Sequence, residues 1–595
     1  MLRVDFARID TRLYAGAADD SRLVRRVNVS FRALAVTLGL LHAWASRHSM
    51  NPDGISYLDM GDAYLRGDWS TALNAQWSPL YSWLLGLANL LIKPGPALEF
   101  PVVHFVSFLM YVAALAGFEF FMRELSLDGG HGAGGLHSEG VSRFPEWLWR
   151  IIGYTLFIWL TLTMIPFELT CPDMLVACIV YIASGLLLRI RRGRAGKRGF
   201  ALLGLVLALG YLAKAPMLPL GLVFLLASGF AVGSLRLGIP RALLALAVFL
   251  AVCAPLVVAL SAAKGRFSFG ESGRLNYAWY VNDVTRFVHW QGEGEGNGTP
   301  LHPTRKIHDA PSVYEFATPV RATYPPWYDP SYWYEGVEAR FDLQGQVRLL
   351  EAIGFIWWDI FINTQIVLVM LALFLTRLMG RPRLLLKDLA HEWLFFAPAL
   401  AAFGMYSLVN LEPRYVAPFV VLFWVGLLRP LLMREPERPP RVSASAALAL
   451  ALVLLAPLFA SALLKTARGV PASARAQSEV ALALYEMGLR EGDGVAGIGD
   501  SFRAYWARIA HLRIVAEIPS PGPLGEISAG DTERFWSAGE EVRSQVMKKF
   551  AATGAKVVIA DRLPLLFPRD GWRRIGQTDY YVYPLSEELV GHARH

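Results

Sequence analysis

Apolar runs recur along the sequence from Phe31 to Leu464, separated by short polar stretches. Lipid gives backbone N–H and C=O groups no hydrogen-bond partner, so a chain of this kind folds as a helical bundle or as a closed barrel. Barrel strands need an alternating pattern that is absent here, which leaves a polytopic α-helical membrane protein. Composition agrees: 54% of residues are hydrophobic and 18% charged, where soluble domains carry about a quarter charged residues. The net charge of +8 comes from short Lys and Arg clusters between apolar runs. Cytoplasmic loops of membrane proteins show this pattern, and no nucleic-acid partner is expected. Cys171, Cys178 and Cys253 lie in apolar segments without C-x-x-C spacing, so the sequence indicates neither a zinc site nor a disulfide framework.

Twelve apolar segments are readable, at 31–46, 77–93, 101–123, 147–165, 171–190, 199–215, 217–234, 241–262, 353–377, 392–410, 414–433 and 443–465. Basic loops belong in the cytoplasm. The clusters are Arg22, Arg25 and Arg26; Arg189, Arg191, Arg192, Arg194, Lys197 and Arg198; Arg377, Arg381, Arg383 and Lys387; and Arg434, Arg438 and Arg441. All four share one side only if 77–93, short and bounded by Ser78-Pro79 and Pro94-Gly95-Pro96, lies at the interface instead of crossing. The expected topology is then about eleven crossings with the N-terminus cytoplasmic and the C-terminus periplasmic, in a bacterial inner membrane. Segment 31–46 could instead be a cleaved signal peptide ending near Ala43-Trp44-Ala45, but the polar leader of about thirty residues favours a retained anchor.

This topology divides the chain into a membrane module, 1–466, with outer loops 47–100 and 263–352, and a periplasmic α/β domain, 467–595. In the latter, strand-like runs occur at 495–498, 512–518, 556–560 and 580–583, and a helical pattern at 532–550. Gly497-Ile498-Gly499-Asp500 follows a strand and reads as a structural turn, a lone G-x-G being weak evidence for a nucleotide site.

Asp53, Asp59, Asp62, Glu168, Asp173, Lys214, Asp359, Glu412 and Arg414 all fall on the outer rim. Ionisable groups at membrane depth cost about 2.5–3.5 kcal/mol each on insertion scales, so a group of them is a functional hypothesis by default. Structural readings exist for each. Asp53 and Asp173 could cap helices after Pro52 and Pro172, and Asp59 and Asp62 read as the water-facing side of an interfacial helix. Lys214 could snorkel, Arg414 could pair only with Glu412, and Glu168 and Asp359 read as structural. Taken together, a carboxylate able to deprotonate a hydroxyl, facing a Lys and an Arg able to hold a phosphate, suits transfer of a group from a phosphate leaving group. No Walker loop accompanies them, so the donor is expected to be a lipid phosphate. Loop 263–352 interleaves aromatics, Trp279, Trp290, Trp327 and Trp333 among them, with polar groups, which suits a sugar-sized ligand. His302 and His308 lack metal-ligand spacing.

Several of these segments are ordered as in a known superfamily. Asn51-Pro52-Asp53-Gly54 through Met60, then Gly67-Asp68-Trp69, Ser78-Pro79-Leu80-Tyr81, Glu168 through Asp173, Ala213-Lys214-Ala215-Pro216 and Glu412-Pro413-Arg414-Tyr415-Val416-Ala417-Pro418 together resemble the GT-C polyprenyl-phosphate-dependent glycosyltransferases. The similar branch contains protein O-mannosyltransferases and lipid A aminoarabinose transferases. Gly54 stands where the family usually has a second acidic residue, and no basic residue accompanies Trp77 and Ser78.

The resemblance implies a GT-C-like fold and an inverting hexosyl or pentosyl transferase. Its partners would be the membrane, a polyprenyl-phosphate-linked sugar and a lipid, glycan or protein acceptor. It implies Asp53 as catalytic base, Asp173 as a second catalytic residue, and Lys214 and Arg414 on the donor phosphate. Tyr57, Glu168, Trp290, Trp327 and Tyr415 are candidate substrate contacts. No firm cofactor follows, and a divalent cation held by Asp173 stays open. A lipid-linked-sugar flippase would show internal repeats, which are not found. A non-catalytic envelope scaffold would tolerate loss of Asp53 and Lys214.

Overall fold

The computed structural model describes residues 16–128, 145–286, 289–379, 382–433, 440–520 and 530–585. Arg381, Arg434 and Arg438 of the basic clusters lie outside them.

Among the described residues, seven helices are long and apolar enough to cross a bilayer: Ser21–Ala45, Pro96–Asp128, Glu146–Met164, Asp173–Arg191, Leu235–Lys264, Pro413–Leu432 and Ser445–Ala467. A further apolar helix pair, Leu343–Thr364 and Ile366–Arg377, is bent by 75°, with a π-helical turn at Asp359–Thr364. This is the segment read from sequence as one run, 353–377; nothing in its apolar pattern announces the bend. Shorter helices, Lys197–Ala213, Met217–Ala231 and Trp393–Ser407, take up the remaining apolar segments. The protein is thus a polytopic helical membrane protein with a C-terminal α/β unit.

Pro79–Ile92 is 14 residues long, about 21 Å at 1.5 Å per residue against a hydrocarbon core of about 30 Å. It packs on Pro52–Leu65 at near-backbone distance. A Cβ on Gly61 would lie 2.9 Å from the Ser82 carbonyl oxygen, and one on Gly86 3.2 Å from that of Gly61. Small residues allow this approach, and it fixes the helix that carries Asp53.

The two ends of the bundle differ in charge. At one end Arg189 and Arg192 pair with Glu124, Arg191 pairs with Asp128, and Arg429 reaches both Asp128 and Glu392. At the other end lie Asp53, Asp173, Lys214 and Arg414, and the C-terminal unit is tied to the helix that carries Asp53 through Arg508, which pairs with Asp59 and Asp62.

That unit contains the strands expected from sequence, at Gly494–Gly499 (β3), Arg513–Pro519 (β4), Ala555–Ala560 (β5) and Tyr581–Pro584 (β7). The single helix expected over 532–550 is two, Asp531–Ser537 and Glu540–Ala552, because Ala538 and Gly539 leave helical geometry. The sheet does not end with the unit's own strands. Arg305–Asp309 (β1) and Ser312–Glu315 (β2), from the loop between membrane helices, complete the order β1-β2-β4-β3-β5-β7-β6, with Arg573–Arg574 as β6. Tyr324 donates to Glu517 on β4 at 2.7 Å, a second tie between loop and unit.

Candidate active site

Two helix N-termini build the site. Pro52 and Pro172 stop their own helices from extending backward, since proline lacks the N–H and fixes φ. Asp53 and Asp173 therefore fall in the first turns of Pro52–Leu65 and Asp173–Arg191, where the helix dipole favours a carboxylate. Neither helix has a side-chain cap. The Asn51 side chain instead accepts from the Thr170 N–H at 2.8 Å and draws the two starts together.

Cations close the cluster. Lys214 follows the last turn of Lys197–Ala213, where a positive charge suits the helix dipole. It donates to Asp173 Oδ1 at 2.5 Å and sits 3.6 Å from the Tyr415 ring centroid, a cation–π contact. Arg414 lies in the first turn of Pro413–Met433, the wrong end of a helix for a cation, and is compensated by carboxylates. Its Nε donates to Glu412 at 2.7 Å and lies 3.9 Å from Asp173 Oδ2, while Nη2 lies 3.7 Å from Asp53 Oδ2. The pairing of Arg414 with Glu412 is real, but Arg414 also bridges both aspartates. Asp173 Oδ2 makes no hydrogen bond among the described residues.

Asp53 keeps 21% of its side-chain surface open and accepts from Trp327 Nε1 at 3.0 Å. Burial raises its pKa above the ordinary carboxylate value, more than Arg414 and the Trp327 N–H lower it. Trp327 stacks on Trp279 with ring centroids 6.2 Å apart. Tyr57, one turn after Asp53, packs on Trp77 and Tyr81. Tyr57, Trp77, Lys214 and Tyr415 line a cavity of about 500 Å³ whose other wall carries Pro216, Phe267, Met405 and Val409. Arg266, Glu271 and Arg274 stand at the same cavity. Burial pushes the Glu271 carboxyl up, but hydrogen bonds from Arg266 and Ser268 outweigh it and hold the group at about 2.

Of the residues singled out by sequence, Asp53, Asp173, Lys214, Arg414, Tyr57, Trp327 and Tyr415 come together. Three do not. Trp290 is 1% exposed, stacked on Tyr334 at 5.6 Å, so it packs the loop and cannot meet a ligand. Glu168 pairs with Lys465 and lines a separate cavity, and Asp359 accepts from Asn363 on the bent helix. Asp59 and Asp62 do not face water as expected. Both accept from Arg508 of the C-terminal unit, at 2.8 and 2.6 Å, and Glu99 is its third partner. Arg508, Glu99, Arg266 and Glu271 were not singled out by sequence; Arg508 is 449 residues from Asp59, and no local signal links them.

A divalent cation does not fit the cluster. Asp53 and Asp173 are already bridged by a guanidinium, and among the described residues no three His, Cys, Asp or Glu side chains gather where an ion could sit.

No protein-family model and no curated protein sequence matches the chain. Among solved structures it is similar to ArnT from Cupriavidus metallidurans, in the apo state at 13% identity and bound to undecaprenyl phosphate at 14%. Both alignments have a TM-score of 0.47 and cover 94% of this chain and 98% of that one. It is also similar to the oligosaccharyltransferase AglB from Archaeoglobus fulgidus, in complex with an inhibitory peptide and a dolichol-phosphate. There the identity is 13% and the TM-score 0.41, covering 90% of this chain and 69% of that one.

Proposed function

We propose that this protein is a membrane glycosyltransferase that moves a sugar from a polyprenyl-phosphate carrier to an acceptor hydroxyl on the periplasmic face of the bacterial inner membrane. The observation that carries the reading is Arg414 lying between Asp53 and Asp173, with Lys214 on Asp173 and facing a cavity that is apolar on one wall. The cavity suits a lipid phosphate: the chain lies along Pro216, Phe267 and Met405, and the phosphate meets Lys214. Asp53, partly open beside Trp327, takes the proton from the acceptor hydroxyl as its oxygen attacks the anomeric carbon. The bond from that carbon to the phosphate oxygen breaks through an oxocarbenium-like state, with inversion, and the phosphate keeps the electron pair. Lys214 and Arg414 meet the charge that develops there, each donor being worth about 3 kcal/mol, or about a hundredfold in rate. Asp173 holds both cations in place.

The test is donor dependence. Purified protein in detergent is given a membrane extract with either a radiolabelled polyprenyl-phosphate sugar or the matching nucleotide sugar. Label should reach the extract only from the lipid-linked donor; transfer from the nucleotide sugar alone would overturn the reading.

A further inference from the structure

The C-terminal unit carries a second cavity, of about 910 Å³, within the usual size of ligand pockets. Its place in the sheet is informative. β3 runs parallel to both β4 and β5 and lies between them, so the connection from β3 goes to one side and the return to β5 goes to the other. The crevice at the carboxyl ends of such strands is where open α/β sheets bind ligands. Asp500 follows β3 and Asp561 follows β5, and both line the cavity with Arg503, Tyr505, Arg562 and Tyr580.

The Gly497-Ile498-Gly499-Asp500 turn is shaped for this crevice. Gly499 has φ +116°, and a Cβ there would sit 2.3 Å from the Asp561 carboxylate. Glycine thus lets Asp561 close on the turn, where it accepts from the Asp500 N–H at 3.0 Å. Tyr580 accepts from Gln477 at 2.9 Å. Burial raises the pKa of both aspartates.

The opposite wall belongs to the membrane module. Met50, three residues before Asp53, lines this cavity, whereas Tyr57, four residues after Asp53, lines the Lys214 cavity. Phe502, in the 3-10 turn that Asp500 caps, packs edge-on to Trp327 at 4.9 Å, the indole that donates to Asp53.

We infer that this cavity binds the acceptor, through a neutral polyhydroxylated portion, and delivers its hydroxyl to Asp53. Carboxylates accept from sugar hydroxyls, while guanidinium and phenol groups donate to them. The walls mix carboxylates, Asp500 and Asp561, and guanidiniums, Arg503 and Arg562, with the apolar side chains of Met50 and Phe100, which matches the polar edges and apolar faces of a sugar.

The inference rests on the glycosyltransferase reading, and its test separates the two. Full-length wild type, Asp561→Asn and Tyr580→Phe are assayed with a radiolabelled polyprenyl-phosphate sugar while the amounts of donor and of membrane-extract acceptor are varied in turn. Losing a hydrogen bond to a charged group predicts that Asp561→Asn needs about tenfold more extract for half-saturation, with donor half-saturation unchanged. Tyr580→Phe, which removes one hydroxyl and leaves the turn intact, should shift the same way by a few-fold. Variants that transfer with unchanged acceptor dependence, or that shift donor and acceptor equally, would overturn the acceptor site and leave the glycosyltransferase reading standing. A wild type that transfers from no lipid-linked donor would overturn both.

Discussion

The Trp327 indole N–H donates to Asp53 Oδ1 at 3.0 Å, joining residues 274 positions apart. Loop 263–352 therefore helps to orient the carboxylate read as the base and, after Arg414, counters the rise in pKa that burial causes.

Burial raises the Asp53 pKa, while Arg414 and this N–H counter it. A base must be ionised, so activity should fall on the acid side at a higher pH than an ordinary carboxylate would give. Trp327→Phe keeps a ring but removes the donor, so the acid limb of kcat/KM should move to still higher pH. A pH–rate profile of both proteins checks this; an acid limb that stays put or moves down would count against it.

Lys214 is tied to Asp173 and faces the cavity. Lys214→Met should lower transfer by about a hundredfold, and Lys214→Arg should recover part of it because the charge is kept. Initial rates at saturating donor give the comparison.

Arg508 is 3% exposed at its side chain and holds Asp59, Asp62 and Glu99. Removing one member of a buried ion group leaves the others uncompensated, at a cost of about 3–5 kcal/mol. Arg508→Met should lower the unfolding midpoint markedly, more than Arg305→Met, whose exposed side chain pairs with Glu315 from the edge strand β1. Thermal unfolding in one detergent measures both.

The Glu271 carboxyl is held at about 2, against an ordinary 4.5. A group depressed in the folded state contributes stability above its unfolded pKa and loses it as pH falls through its folded one. The cavity wall around Arg266 and Ser268 should weaken from pH about 4.5 down to about 2. Glu271→Gln should be less stable at neutral pH and flatter across that window, as followed by unfolding midpoint against pH.

Residues whose role is set by local chain geometry were legible in the sequence. Asn51-Pro52-Asp53 and Pro172-Asp173 state in a few residues that a helix starts and that a carboxylate sits in its first turn. Lys214 and Arg414 flank helices whose apolar runs are plain. What stayed hidden depends on contacts across hundreds of residues. Asp59 and Asp62 have the spacing of a wet helix face, and only the arrival of Arg508 makes that face an interface. Trp290 and Trp327 look alike in an aromatic loop, yet one is core and the other bonds Asp53. β1 and β2 joined the C-terminal sheet because β4 offered an open edge, a fact of assembly that no local pattern encodes.

The central claim is that Asp53 is the base. Asp53→Asn keeps the shape and the Trp327 contact but cannot accept the proton. The measurement is transfer of radiolabel from a polyprenyl-phosphate sugar to a membrane extract by purified wild type and Asp53→Asn, with unfolding midpoints confirming that both are folded. The account predicts transfer by wild type and none by a folded Asp53→Asn. Full transfer by the variant would contradict it.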